Sequence, residues 1–193
     1  MKKIISAILA LTLVLGLSAC GGNAAQETET ATVPAQQMPA SALEVLENVW
    51  ADYSDDEKFP VMGGSMAAPV DGAPGNFDLA DENLPYLLLG PQDQMGNITE
   101  AASVIHAMNT NTFTCAAFKL ADGVAAADFG AAMKDAVLNN RWMCGFPDRV
   151  LIRAFGDSYV VMAFGVNDAM DPFETHLTAV YPGMETIASE TIS

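Results

Sequence analysis

Three cysteines and two histidines are the side chains of this chain with the widest chemical reach. One of them, Cys20, closes the stretch Leu17-Ser18-Ala19-Cys20. Lys2 and Lys3 open the chain, and a mainly apolar run of 14 residues leads from Ile4 to Leu17. A positive start, a short apolar stretch and small residues before a cut site make a secretory signal. A cysteine at the cut makes it a bacterial lipobox. In that chemistry the thiol takes a diacylglycerol as a thioether, and cleavage leaves Cys20 as the first residue. The apolar run is shorter than the roughly 20 residues a helix needs to span a bilayer. Two acyl chains anchor stably where one holds only marginally, so a diacylated Cys20 suffices as the membrane attachment.

The other two cysteines, Cys115 and Cys144, are not spaced as CxxC, which argues against a thioredoxin-like redox pair. Outside the cytoplasm a disulfide is allowed. A strand that ends at Leu120, followed by a returning helix of about 16 residues, brings Cys144 back near the height of Cys115. A Cys115–Cys144 bridge is therefore open. Two buried thiols are open as well, because both cysteines have apolar neighbours and free cysteine packs as a small hydrophobe.

His106 falls on an expected strand and His176 on the expected last helix. Neither has a second His or Cys at metal-ligand spacing. A serine or cysteine nucleophile needs a histidine held beside it by a third group, and nothing in the spacing supplies one. No nucleophile elbow, P-loop or dinucleotide fingerprint occurs. Both histidines read as structural or surface residues; no catalytic residue, metal ligand or cofactor is assigned. The acidic groups Asp52, Asp55, Asp56 and Glu57, and later Asp78, Asp81 and Glu82, lack the ligand alternation of an EF-hand. Calcium at 52–57 is left open, while Asp81 and Asp168 read as charges favoured at helix N-termini.

Two stretches carry bulky apolar residues where loops are expected, 57–64 (EKFPVMGG) and 141–148 (RWMCGFPD). If Phe59, Val61 and Met62 meet Trp142, Met143 and Phe146, they form an apolar binding patch with charged edges. The other reading is that these loops cap the open ends of a small core.

These residues need elements to hold them. Residues 21–40 are small and polar with no periodicity, so 20–40 reads as a flexible tether behind the signal at 1–19. Ser41 with Glu44 fits a capping box, and Leu43, Leu46 and Trp50 recur at helical spacing, which predicts a helix over 42–52. Prolines and glycines over 53–79 predict a long irregular loop. A short helix is expected over 80–89, stopped by Gly90-Pro91. Strands are expected over 102–109 and 112–120, then a helix over 124–139 capped by Asp122. The clearest hairpin joins 149–155 to 158–166 through Gly156-Asp157. A last helix begins at Asp168 and stops at Pro182-Gly183. The two strand pairs resemble each other, Ile105-His106-Ala107-Met108 with Cys115-Ala116-Ala117-Phe118 against Ile152-Arg153-Ala154-Phe155 with Val161-Met162-Ala163-Phe164. This suggests a duplicated hairpin-plus-helix unit, with chance similarity of amphipathic segments as the other reading. The expected fold is one α+β domain over 41–193, an antiparallel four-stranded sheet backed by helices.

The formal net charge is −16, and removal of Lys2 and Lys3 with the signal makes it −18. A field of that sign repels nucleic acid and anionic lipid head groups. The pattern of a lipobox with Gly21-Gly22 after it, EKFPVMGG at 57–64, NTFT at 111–114 and WMCGFPD at 142–148 resembles the uncharacterised small lipoproteins of Gram-positive, clostridia-type bacteria, over most of residues 41–182. The resemblance implies an extracytoplasmic α+β domain and transfers no activity. The expected role is a membrane-anchored binding or accessory protein with a protein or peptide partner. A structural envelope protein without a ligand and an extracellular hydrolase are the alternatives.

Overall fold

The computed structural model describes residues 38–108 and 110–192. The signal, Cys20 and the tether up to residue 37 lie outside the described residues. Ser41 caps the first helix as its sequence demands: its Oγ accepts from the Glu44 N–H at 3.1 Å, and helix α1 runs over Ala42–Asp52. The Glu44 carboxylate reaches back one residue beyond the cap, to the Ala40 N–H. Ala42, Val45, Leu46 and Val49 bury one face of α1. The chain is already fastened to the domain ahead of Ser41, since the buried Tyr159 hydroxyl donates to the Pro39 carbonyl at 3.0 Å.

The expected loop over 53–79 holds three short strands, β1 (Val61–Gly63), β2 (Val70–Asp71) and β3 (Gly75–Phe77). The glycines read as breakers are what allow them. A Cβ on Gly63 would collide with the Gly75 amide nitrogen, and one on Gly75 would lie 2.8 Å from the Gly64 nitrogen. The two segments thus approach backbone to backbone. Helix α2 is a single turn at Leu84–Leu87, shorter than expected, and a 3-10 helix follows at Gln92–Asn97. Strand β4 (Ile98–His106) begins earlier than expected and pairs with β5 (Phe113–Leu120).

Helix α3 spans Ala126–Leu138. Asp122 does not cap it. Gly123 is left-handed at φ 84°, the cap position is Ala125, and the Ala126 N–H instead donates to Asp157 Oδ1 at 3.0 Å. The hairpin of β6 (Arg149–Phe155) and β7 (Tyr159–Gly165) forms where expected, around a left-handed Gly156. Helix α4 (Asn167–Val180) draws its first N–H partner from Asp148, whose Oδ2 accepts at 2.8 Å. Beyond Pro182-Gly183 a strand absent from the sequence reading, β8 (Glu185–Thr191), pairs with β6.

The architecture is α+β with an open, antiparallel, eight-stranded sheet in the order β2-β1-β4-β5-β7-β6-β8. β3 continues β1 along the free edge of β4: Gly63 faces Val104, and Gly75 faces Ser103. The four expected strands form its centre; the count of four is exceeded by additions at both edges. Alternating side chains of these strands feed two separate cores. Val104, Cys115, Ala117, Val161 and Ala163 pack with α1 and α4. Ala116, Phe118, Ile152, Val160 and Met162 pack with α2 and α3. Helices α3 and α4 therefore cover opposite faces. An antiparallel pair such as β5 and β7 is related by a two-fold axis normal to the sheet, and an exact repeat of hairpin plus helix about it would put both helices on one face.

Candidate functional site

At one end of the sheet, β4 stops, β5 starts and β7 stops, and three structural pieces converge there. His106 closes β4, and the loop after α3 brings Trp142 and Cys144. Single-turn helix α2 and the residues after it bring Tyr86, Leu87 and Leu89. Between them is a cavity of about 200 Å³. Its walls mix apolar side chains, with Ile105, Phe113 and Phe164 from the strands, and the uncharged polar groups of Thr112, Thr114 and Asn140. Leu89 holds a left-handed backbone at φ 48°, a conformation unfavourable for a leucine and found preferentially where a site demands it.

Two polar atoms of the lining residues lie behind the wall, buried and unpaired. Trp142 Nε1 and Thr112 Oγ1 are shut off from solvent and have no hydrogen-bond partner among the described residues. An unmatched buried group of this kind is destabilising by about 1–3 kcal/mol. His106 is only 7% exposed. Its Nδ1 accepts from the Met108 N–H at 3.0 Å, which places the proton of the neutral ring on Nε2. Burial pushes its pKa below the ordinary histidine value, so the ring is a neutral donor.

The apolar stretches singled out in the sequence do not form one patch. Val61 is 1% exposed and joins the core under α1 and α4. Phe59 packs against the same core and contacts Trp50, Tyr53 and Phe113. Met62, its neighbour on β1, points outward. Trp142 packs against the opposite core, tilted on Phe164 at 5.1 Å, while Met143 and Phe146 are exposed. His106 joins the two groups: it lines the cavity with Trp142 and also a second, slightly smaller hollow with Phe59, Asp168 and Ala169. Its role was missed, because nothing in its sequence neighbourhood records a contact made across the fold.

Both thiols are free. Cys115 is wholly buried and Cys144 is exposed. Alternation along β5 turns Cys115 toward the α1 and α4 core, away from α3, and this separates it from the loop that α3 delivers. Burial pushes the Cys115 thiol well above its usual pKa.

His176 occupies a different surface. Its Nδ1 lies 2.8 Å from Asp52 Oδ2 and its Nε2 3.7 Å from Glu57 Oε1, with the ring 4.0 Å from that of Tyr53. Both ring nitrogens face carboxylates, so neither is aimed at a nucleophile. Among the described residues no group of three or more His, Cys, Asp or Glu side chains is placed to hold a metal, which includes the acidic segment 52–57. A third polar cluster ties β6 to α4: Glu174 bonds Arg149 at 2.6 Å and Arg153 at 3.0 Å, and Arg149 also bonds Asp171 at 2.8 Å. Its charges are matched within the cluster, and it reads as a structural clamp. No helix among the described residues is long and apolar enough to cross a membrane.

Comparison of the chain with family models, with curated proteins and with solved structures finds no match in any of the three.

Proposed function

We propose that this chain is an extracytoplasmic lipoprotein, held on the outer face of the cell membrane by a lipid on Cys20, whose folded domain is a binding or accessory protein for a peptide or protein partner. The anchoring half rests on the residues up to Cys20. The binding half rests on one observation: a cavity at the end of the sheet whose lining mixes apolar and uncharged polar side chains and carries no Asp, Glu, Lys or Arg. Such a wall suits an uncharged ligand with both apolar and polar parts. The lipobox with Gly21-Gly22, EKFPVMGG at 57–64, NTFT at 111–114 and WMCGFPD at 142–148 support membership of the small clostridia-type lipoprotein family described above. The finer reading of the fold is a duplicated hairpin: Cys115, Ala116 and Ala117 correspond to Val161, Met162 and Ala163, and Ala116 pairs directly with Met162 across β5 and β7. A purely structural envelope protein remains the competing reading. A hydrolase is disfavoured by His106, whose Nδ1 is taken by a backbone amide.

The anchoring is tested by Cys20→Ser, which cannot form the thioether. The variant is expected to leave the membrane fraction or to accumulate uncleaved; recovery of fully processed protein with the membrane overturns the lipobox. For binding, a pool of random short peptides is screened by thermal shift on the full chain, since any ligand of the native state raises its midpoint. Peptides that raise it for the natural chain and not for Trp142→Ala support the site. A pool with no such peptide favours the structural protein.

A further inference from the structure

A further hollow lies where residues 79–85 meet Met95 and the first residue of β4, Ile98. It shares no residue with the cavity beside Trp142. Leu84 and Ile98, 2% and 6% exposed, belong to the core beneath it. Leu79, 44% exposed, stands open on its wall. At about 250 Å³ the hollow is smaller than the roughly 300–1,000 Å³ of sites that enclose whole small molecules, and its size suits one side chain of a longer partner. Its apolar lining carries two acids, Asp81 and Glu82, and no base.

Those acids lack cations. No Lys or Arg occurs between Lys58 and Lys119. Glu100 of that stretch pairs with Lys119. Asp71, Asp78, Asp81, Glu82 and Asp93 enter no ion pair among the described residues. The Asp81 carboxylate is held in place, since its Oδ1 accepts from the Asn83 N–H and from Asn83 Nδ2, both at 2.9 Å. These bonds hold its pKa below the ordinary value, so it is ionised at neutral pH. An uncharged occupant strips water from such carboxylates and returns no counter-charge. An anion, an anionic lipid surface or a second copy of this acidic chain is repelled. A cation on an alkyl stem suits both parts of the hollow. The stem lies along the apolar lining, and the head stays in water beside Asp81 and the exposed Glu82, as lysine side chains do over apolar surface.

We infer that this hollow is a docking site for a lysine side chain of a basic peptide segment, whose stem packs on Leu79, Leu84 and Ile98 and whose ammonium pairs with Asp81 and Glu82. This goes beyond the reading given to the cavity beside Trp142 and stands or falls apart from it.

In the test, the full chain carrying Cys20→Ser is titrated at about 0.15 M salt and followed by backbone amide chemical shifts. The probes are acetyl-Ala-Lys-Ala-amide and its counterparts with norleucine or 2,4-diaminobutyrate in place of lysine. Norleucine keeps the stem without the charge, and diaminobutyrate keeps the charge on a shorter stem. The lysine peptide is expected to shift the amides of 79–84 and 95–98 saturably. It is expected to bind about three- to fivefold tighter than the norleucine peptide and about fivefold or more tighter than the diaminobutyrate peptide. Asp81→Asn with Glu82→Gln is expected to abolish the preference for lysine over norleucine; Asn keeps an oxygen for Asn83 to bind. Asp56→Asn with Asp71→Asn removes the same charge from exposed positions outside the hollow and is expected to retain the preference. The inference is overturned if either counterpart binds as tightly as the lysine peptide, if the shifted amides lie elsewhere, or if the two double variants behave alike. Absence of any saturable shift with the lysine peptide also overturns it, and leaves the Trp142→Ala comparison untouched.

Discussion

The imidazole of His106 lies flat on the ring of Phe59, with centroids 5.0 Å apart and planes 7° from parallel. This stack joins the last residue of β4 to the segment that leads into β1, beside the mouth of the cavity. A protonated ring there would have to be desolvated, so the fold favours the neutral form.

The consequence is a pH dependence of definite sign. The folded-state pKa of His106 is lowered by burial, so its contribution is present above the unfolded value of about 6.5 and is lost as pH falls from there toward the folded value. Urea unfolding is expected to show stability decreasing from about pH 7 to about pH 5. In His106→Gln that part of the slope is absent, while stability at neutral pH drops by about 0.5–1.5 kcal/mol with loss of the ring stack. Parallel pH profiles for the two proteins would refute this assignment.

Asp157 sits in the β6–β7 turn and caps α3, a helix distant in sequence. Asp157→Ala is expected to lose about 1 kcal/mol, or about 2–4 °C in the midpoint for a domain of this size. Asp122→Ala, which removes the residue that the sequence nominates, is expected to change little. Calorimetry of both variants checks the pair, and the reverse order of effects would contradict the capping seen here.

That reversal shows what local sequence records and what it does not. Helix α1 was legible because its cap and its buried stripe lie within a dozen residues. The β6–β7 hairpin was legible because its turn lies between two apolar runs. Strands β1 to β3 were not, since Gly63 and Gly75 are strand residues only by virtue of each other and of the edge of β4. β8 is mostly exposed, with Ala188 its one buried residue, so it carries no core-facing pattern. At the site, Trp142 stood out by composition. The separation of Val61 from Trp142 did not, because it depends on which face of the sheet each loop reaches.

Glu174 is shared by Arg149 and Arg153, whose side chains are 17% and 13% exposed. Burial by itself would raise the Glu174 carboxyl; the hydrogen bonds and charges of the two arginines outweigh it and hold the pKa below the ordinary value. Its contribution is therefore full above an unfolded pKa of about 4.5 and lost as pH falls through the lowered folded value. Glu174→Gln leaves two largely buried guanidinium groups short of charge and is expected to be destabilising by about 1–3 kcal/mol at neutral pH, the lower end reflecting partial exposure. Denaturant midpoints at neutral and acid pH check this, and a difference that persists undiminished below about pH 3 would contradict it.

The two thiols of the domain differ in access, and reactivity should report it. Cys115 is wholly buried with its pKa pushed well up by burial, whereas Cys144 is exposed on the cavity wall. Only the thiolate attacks an aromatic disulfide reagent, and only when the reagent can reach it. In the full chain carrying Cys20→Ser, the native protein is expected to release one equivalent promptly, and none when Cys144→Ser is added. Denaturation without reductant is expected to raise the count from one to two. A count of zero under those conditions would mean that Cys115 and Cys144 are bridged after all. Because Cys144 lines the same cavity as Trp142, a peptide seated there is also expected to slow the prompt reaction in step with its occupancy, which a ligand bound elsewhere on the surface would not do.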